Sequence, residues 1–366
     1  IDVSKGDEAV LSTRLEVDEG VGLIIVEEEM PAQFALASGS NFRTFWKGPK
    51  PLSAEMSVAV RCTYRGVHHA GRFKEERIHF SGLKDIQHSG DEGTVKITVR
   101  PRSVDLRRMM DHRLRIPMPP AAISKLGLRT TDFLEMRQYA PGDPYRNINW
   151  KATVRCGRDE SNPLVNEFER EGKKTAWIFL DGRPSMGTGS STENAFEHGV
   201  QAASVLSHFY LARGCSVGLN ILGCGKMVLP DTGRRQESVI GQALLGVELS
   251  GYHEPLDQAL KRCRGHIAGR SPLVVLITMV GKENVRELKA GIGKMLTLFG
   301  QGTKVMVVHI SGHHVAADGP IEIMAADLLS MKMLQEIRSL RGGAIVYSWN
   351  PRRQDIASLM LRGAVA

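Results

Sequence analysis

Asp181 and Ser185, within "IFLDGRPSMGTGS" (178–190), are the residues whose types and spacing best suit chemistry. An apolar run stops at Asp181, and a second oxygen-bearing side chain follows four residues on. Oxygens on a loop after a strand are what a hard cation such as Mg²⁺ uses, in an octahedral set of about six completed by water. Arg183 stands between the two. At an effective dielectric near 20, a guanidinium about 4 Å from a divalent ion is repelled by roughly 8 kcal/mol. The expectation is therefore a remnant: no metal and no cofactor, with Arg183 supplying fixed positive charge to Asp181 or to an acidic group of a partner. Asp181, Arg183 and Ser185 become the expected partner-binding residues.

Other chemistries find less support. "GRPSMG" is not the G-x-S-x-G nucleophile elbow, and His198, His208, His253, His266, His309, His313 and His314 are scattered along the chain. His68 and His69 are adjacent, so on a strand they point to opposite faces and chelate poorly. The five cysteines, Cys62, Cys156, Cys215, Cys224 and Cys263, show no C-x-x-C arrangement, so no zinc site is expected, and scattered thiols favour a reducing, cytosolic face over an extracellular one. Neither G-x-G-x-x-G after the apolar run nor G-x-x-x-x-G-K-S/T occurs, so nucleotide chemistry lacks its phosphate loop. "GTGS" (187–190) is a weak anion site at best. The expectation is a protein that is not an enzyme.

The elements that must carry Asp181 show a change of rhythm. Residues 1–103 hold short segments rich in β-branched residues, "VGLIIV", "MSVAVRC", "RIHFSG" and "TVKITV", separated by turn chemistry, and predict a β-sandwich domain. Residues 104–172 read as an irregular connecting region, because "RIPMPPA" can be neither regular helix nor central strand. From 173 to 366 strand and helix patterns alternate: "TAWIFLD", then a helix opened by a Ser190–Glu193 capping box, then "CSVGLNILG" with "GKMVLPD" as its hairpin partner. "SPLVVLITMV", "TKVMVVHIS" and "AIVYSW" are the later strands, and helical stretches separate them. This is a doubly wound, mostly parallel α/β domain, and in such sheets ligands bind beyond the carboxyl ends of the strands, where Asp181 lies. The longest apolar stretch, "PLVVLITMV", is about half a membrane span.

Charge is uneven. Residues 101–175 carry 15 basic against 10 acidic side chains, a surplus of +5. Within them, "MRQYAPGDPYRNINWKATVR" (136–155) interleaves Tyr139, Tyr145 and Trp150 with Arg137, Arg146, Lys151 and Arg155. Either these aromatics stack bases of single-stranded nucleic acid, or they bury at a domain junction while the cations pair with carboxylates.

The same run resembles the signature of the domain-of-unknown-function 58 family, Arg-x-Tyr-x-x-Gly-Asp-x-x-Arg-x-Ile-x-Trp-x-x-x-x-Arg. Arg137, Tyr139, Gly142, Asp143, Arg146, Ile148, Trp150 and Arg155 match it in order, and Phe168 and Glu169 fit the segment that follows. "YRGVHHAGRF" (64–73) is similar to the family's Arg-Gly segment, while its Asp-Pro-aromatic-Gly-Leu is reduced to Ser81-Gly82-Leu83. The resemblance implies a β-rich segment, the signature, and then a von Willebrand factor type A-like domain. In type A domains an Asp-x-Ser-x-Ser loop, a Thr and a later Asp bind the metal. Here Thr232 is the loose candidate for the Thr, and Met279 or Val280 stands where the Asp belongs. The metal-ion-dependent adhesion site would thus be degenerate. The resemblance further implies a non-catalytic adaptor, two membrane helices ahead of the β segment with this part on the cytoplasmic side, and a MoxR-type AAA+ ATPase as partner. The alternative function is nucleic-acid binding through the basic, aromatic central segment.

Overall fold

The computed structural model of the chain describes residues 1–79, 84–88, 94–101, 116–120, 123–139, 145, 148–156, 163–171, 174–267, 271–300 and 302–362. Ten strands build the amino-terminal part: β1 (Asp2–Ser4), β2 (Glu8–Val17), β3 (Gly22–Glu29), β4 (Phe34–Gly39), β5 (Phe42–Lys47), β6 (Leu52–Cys62), β7 (Gly66–Ala70), β8 (Arg72–His79), β9 (Lys84–His88) and β10 (Val95–Arg100). They form sheets ordered β1-β10-β7, β2-β6-β4 and β5-β3-β8-β9. β6 shows why: Met56, Val58, Val60 and Cys62 are buried, while Ser57 and Arg61 between them face out, the period of two that a half-buried strand requires. Leu11, Val60, Ile97 and Val99 close the first two sheets on one another as a small sandwich.

The connecting region is more regular than its prolines suggest. Pro117, Pro119 and Pro120 stay within 116–120, which form neither helix nor strand. After them β11 (Ile123–Gln138) and β12 (Leu164–Glu171) make an antiparallel ribbon, with α1 (Trp150–Arg155) packed on it. Ile116 enters the core of the following domain, and Tyr210 donates to the Pro117 carbonyl at 3.1 Å.

The carboxy-terminal domain is a six-stranded sheet of β13 (Thr175–Asp181), β14 (Ser216–Leu222), β15 (Met227–Asp231), β16 (Leu273–Thr278), β17 (Lys304–Ile310) and β18 (Ile345–Trp349). Its order is β15-β14-β13-β16-β17-β18, and every pairing is parallel except that of β15, the expected hairpin strand. α2 (Ala195–Ala212), α3 (Gly233–Leu245) and α8 (Ile356–Arg362) cover one face through Val200, Leu244 and Leu359. α4 (Leu256–Ile267), α5 (Val285–Leu298) and α7 (Pro320–Ser339) cover the other through Leu260, Leu288 and Ile337, and a short α6 (Gly312–Ala316) precedes α7. With helices on both faces the central strands are buried throughout, as β13 is.

Two local readings are corrected. α2 is not opened by the Ser190–Glu193 box: Ser190 Oγ accepts from Glu193 N within a turn, and Asn194 caps the helix by accepting from Glu197 N at 3.0 Å. α4 has no counterpart in the sequence reading, although Leu256, Ala259, Leu260 and Cys263 fall at helical spacing and are buried.

The two domains are joined by a buried cation. Arg65, just before β7, is 2% exposed. It donates to the carbonyls of Leu245 and Val247, pairs with Glu197 of α2 at 3.0 Å, and stacks over Phe196. Lys5 adds a hydrogen bond to the Thr192 carbonyl at 2.8 Å.

Candidate functional site

Four polar residues form a row across the carboxyl edge of the sheet. Thr278 pairs with His309, and His309 with Ser348, by strand register; Asp181 lies beside Thr278, one step after the Leu180–Ile277 pair. All four lie on one face, because the residues two positions back, Phe179, Leu276, Val307 and Val346, all belong to the cluster beneath α4, α5 and α7. An apolar layer thus ends in a polar one where the strands meet their loops.

At the inner end the row is closed by Arg183. Gly182 permits the sharp exit from β13, since a Cβ there would stand 2.7 Å from the Leu222 carbonyl oxygen. The chain then turns through Pro184–Gly187 and sends Arg183 back over the strand end. Its Nε donates to Asp181 Oδ1 and its Nη2 to Asp181 Oδ2, both at 2.8 Å, and its backbone N–H reaches Oδ1 at 3.1 Å. Nη1 donates to Glu287 Oε2 of α5 at 2.8 Å, and Thr278 Oγ1 donates to Asp181 Oδ2 at 2.6 Å. Asp181 is 0% and Arg183 1% exposed, so neither side chain meets solvent. Burial opposes the charge on Arg183, but the Asp181 and Glu287 carboxylates outweigh it and hold the guanidinium protonated beyond its ordinary range. Glu287 is fixed in turn, its Oε1 accepting from Leu256 N at the start of α4.

This donor set does not suit Mg²⁺. Both Asp181 oxygens already accept hydrogen bonds, and the nearest charge is positive. Ser185 is exposed on the 3-10 turn. Thr232 is displaced from the site: β15 runs antiparallel, and Asp231 pairs with Val217 at the amino end of β14, about 17 Å from the level of Leu222 and Asp181 at roughly 3.3 Å per residue. Thr278 and Arg183 hydrogen-bond to Asp181, and Glu287 in turn accepts from Arg183. Met279 and Val280 instead use their backbone, Met279 N–H toward Met186 Sδ and Val280 N–H to His309 Nδ1.

At the outer end the histidines are not scattered. Burial drives the His309 pKa down to about 4, with His313 adding to the shift, so the ring is neutral and Nδ1 accepts from Val280. His314 Nδ1 lies 2.6 Å from Ser311 Oγ, and its Nε2 is 2.8 Å from Asp327 Oδ1. Arg353 Nη2 donates to Asp327 Oδ2 at 2.7 Å. His314 and Arg353 together keep the Asp327 carboxyl below the usual carboxylate range. Ser311, His314 and Asp327 thus form a hydrogen-bonded chain from the end of β17 through α6 to α7, which spacing alone concealed.

The signature residues shape a turn. Arg137 pairs in register with Val165, Ile148 is buried and bridges the same residue, and Trp150 opens α1, which Arg155 ends. Asn149 caps α1, accepting from Ala152 N at 3.0 Å. Tyr139 and Tyr145 rings lie 5.8 Å apart. Gly142, Asp143 and Arg146 lie outside the described residues, as do the side chains of Arg137, Phe168 and Glu169. Tyr145 and Trp150 are 74% and 48% exposed, so these two aromatics do not bury at a junction.

Among the described residues no group of three or more His, Cys, Asp or Glu is placed to hold a metal, and no helix is long and apolar enough to cross a membrane. The strand order, with one antiparallel edge strand, is that of a doubly wound α/β domain. Among solved structures, a von Willebrand factor type A protein from Catenulispora acidiphila is similar at 12% identity and a TM-score of 0.32, covering 52% of this chain and 41% of that one. The SpRpn10 VWA domain is similar at 14% identity and a TM-score of 0.33, covering 53% of this chain and all of that one. An uncharacterized protein of Bacillus subtilis (strain 168), YeaD, is 27% identical over 95 residues, 26% of this chain and 21% of that protein. The chain therefore spans about a fifth of the curated relative that it matches. The model of a protein family of unknown function, DUF58, matches residues 135–339, more than half of the sequence, and the chain belongs to that family.

Proposed function

We propose that the chain is a non-catalytic docking module in which the Asp181–Arg183 pair replaces the metal of an adhesion site and holds the loop at 182–190 for a protein partner. The observation that carries this reading is the two-pronged seat of Arg183 on Asp181. An ion pair locked inside the protein cannot fork onto a partner, so the contact surface passes to the exposed rim, Pro184 and Ser185. The adhesion site is in this sense degenerate: its geometry is kept by a fixed charge and needs no cofactor. The family resemblance supports a MoxR-type AAA+ ATPase as partner and a tether that places this part on the cytoplasmic side of a membrane. The experiment is affinity capture of the full-length protein from its native cell, with and without Ser185→Glu. Co-purification of such an ATPase that is lost in the variant supports the reading; equal capture by both overturns it.

The exposure of Tyr145 and Trp150 beside Lys151 and Arg155 supports the second reading, nucleic-acid binding. Retention on single-stranded DNA or RNA that falls steeply with salt, and is lost in Trp150→Ala, would favour it over the docking reading.

A further inference from the structure

The outer end of the polar row opens into a groove between α7 and the ends of β17 and β18. One cavity of about 370 Å³ is lined by His309, Ser330, Met331, Leu334, Ser348 and Arg353, among others. A second, of about 270 Å³, shares Asp327, Ser330, Ser348 and Arg353 with it and extends to Asn350 and Gln354. Unlike the inner end, this end has donors to spare. Val280 N–H occupies His309 Nδ1, which fixes the proton on Nε2, and among the described residues that N–H has no partner. His309 is 5% exposed and is one of the residues that line the groove. Ser348 stands beside it in register, while Ser330, across on α7, lines the groove with its Oγ already 3.3 Å from Ser311 Oγ and 3.4 Å from His314 Nδ1. Arg353 spends one N–H on Asp327 and keeps the remainder of its fork. Both Asp327 oxygens are taken, by His314 and by Arg353. Met331, Leu334 and Ile337 supply an apolar wall.

Convergent donors with one guanidinium and an apolar wall complement a carboxylate on an aliphatic stem. We propose that this groove receives a glutamate or aspartate side chain of a protein partner, flanked by apolar residues. The inference rests on the docking reading and names a recognition feature for it. A lipid or nucleic-acid phosphate would meet the same donors, but it has no use for the wall of Met331, Leu334 and Ile337, and bulk phosphate serves as its control.

The test uses the whole 366-residue chain labelled with ¹⁵N at histidine, His309 being assigned from the spectrum of His309→Asn. Acetyl-Leu-Glu-Leu-amide is titrated in, followed by acetyl-Leu-Gln-Leu-amide and inorganic phosphate. The expected result is a saturable shift of the His309 Nε2 resonance with the glutamate peptide, at an affinity roughly tenfold above that of the glutamine peptide, the size of one charge-assisted hydrogen bond. Ser348→Val and Arg353→Gln each weaken it severalfold. Equal affinity for both peptides, a response unaltered by Ser348→Val, or tighter binding of phosphate than of the glutamate peptide overturns the proposal. A flat titration removes the groove and leaves docking at the Ser185 rim standing. Loss of that docking in turn leaves the titration unchanged.

Discussion

Arg183 and Glu287 are 104 residues apart in sequence and 2.8 Å apart in space, and Arg183 holds Asp181 at the same time. One guanidinium thus fastens the first strand of the domain to α5. Breaking a buried ion pair from one side leaves an uncompensated charge, which costs about 3–5 kcal/mol. Arg183→Met is expected to lose that amount in urea unfolding, and Asp181→Asn with Arg183→Met to recover a large part of it. A loss below about 1 kcal/mol for the single variant would place the pair among weak surface bridges instead.

How much of this was legible beforehand follows from what each feature depends on. β13, β14 and β16 are fully buried, mostly apolar runs bounded by turn residues, so their existence and the doubly wound class could be read directly. Asp181 at a strand end was legible for the same reason. The Glu287 contact was not, because it joins the loop after β13 to the helix that follows β16, 104 residues on, and no spacing encodes that. Thr232 was misplaced although the expected hairpin already carries the end of β15 back to the amino end of β14, away from Asp181. Ser190 looked like a cap because the box pattern also closes a plain turn, while Asn194 sits closer to the apolar face it must initiate.

Arg65 gives a prediction about the two domains. It is buried between them, with two carbonyls, Glu197 and Phe196 as its partners. Arg65→Met keeps much of the packing but leaves the buried Glu197 with Lys5, 3.7 Å away, as its cation. The expected outcome is a loss of about 2–4 kcal/mol and a splitting of the thermal unfolding curve into two steps, read by calorimetry. A single unchanged transition would show that the domains cohere without this contact.

Ser311, His314 and Asp327 have the order of a nucleophile, an imidazole and a carboxylate, yet Ser311 is 6% exposed and Ser330 Oγ lies 3.3 Å from its oxygen. The docking reading assigns the chain a structural task, holding α6 and α7 to the end of β17. A fluorophosphonate probe is therefore expected to leave Ser311 unlabelled while His314→Ala costs about 1–2 kcal/mol of stability. Covalent labelling of Ser311 that disappears in His314→Ala would reverse the assignment and make this a hydrolase site.

His309 predicts the shape of the stability curve in mild acid. Its pKa in the folded chain is near 4, against about 6.5 for a free histidine. Between those values the unfolded chain binds the proton and the folded chain does not, so unfolding takes up protons and stability falls as pH falls. The contribution is intact above pH 6.5, declines through the window from 6.5 to 4, and is fully lost below it. Over the whole window the effect is on the order of 3 kcal/mol, at 1.36 kcal/mol per unit. His309→Asn supplies an oxygen to accept from Val280 N–H but cannot titrate. Urea unfolding at intervals from pH 8 to pH 4.5 should show the native chain losing stability faster than the variant as pH falls below about 6.5, with the two curves parallel above pH 7. Parallel curves across the whole range would mean that His309 is protonated as readily inside the protein as outside.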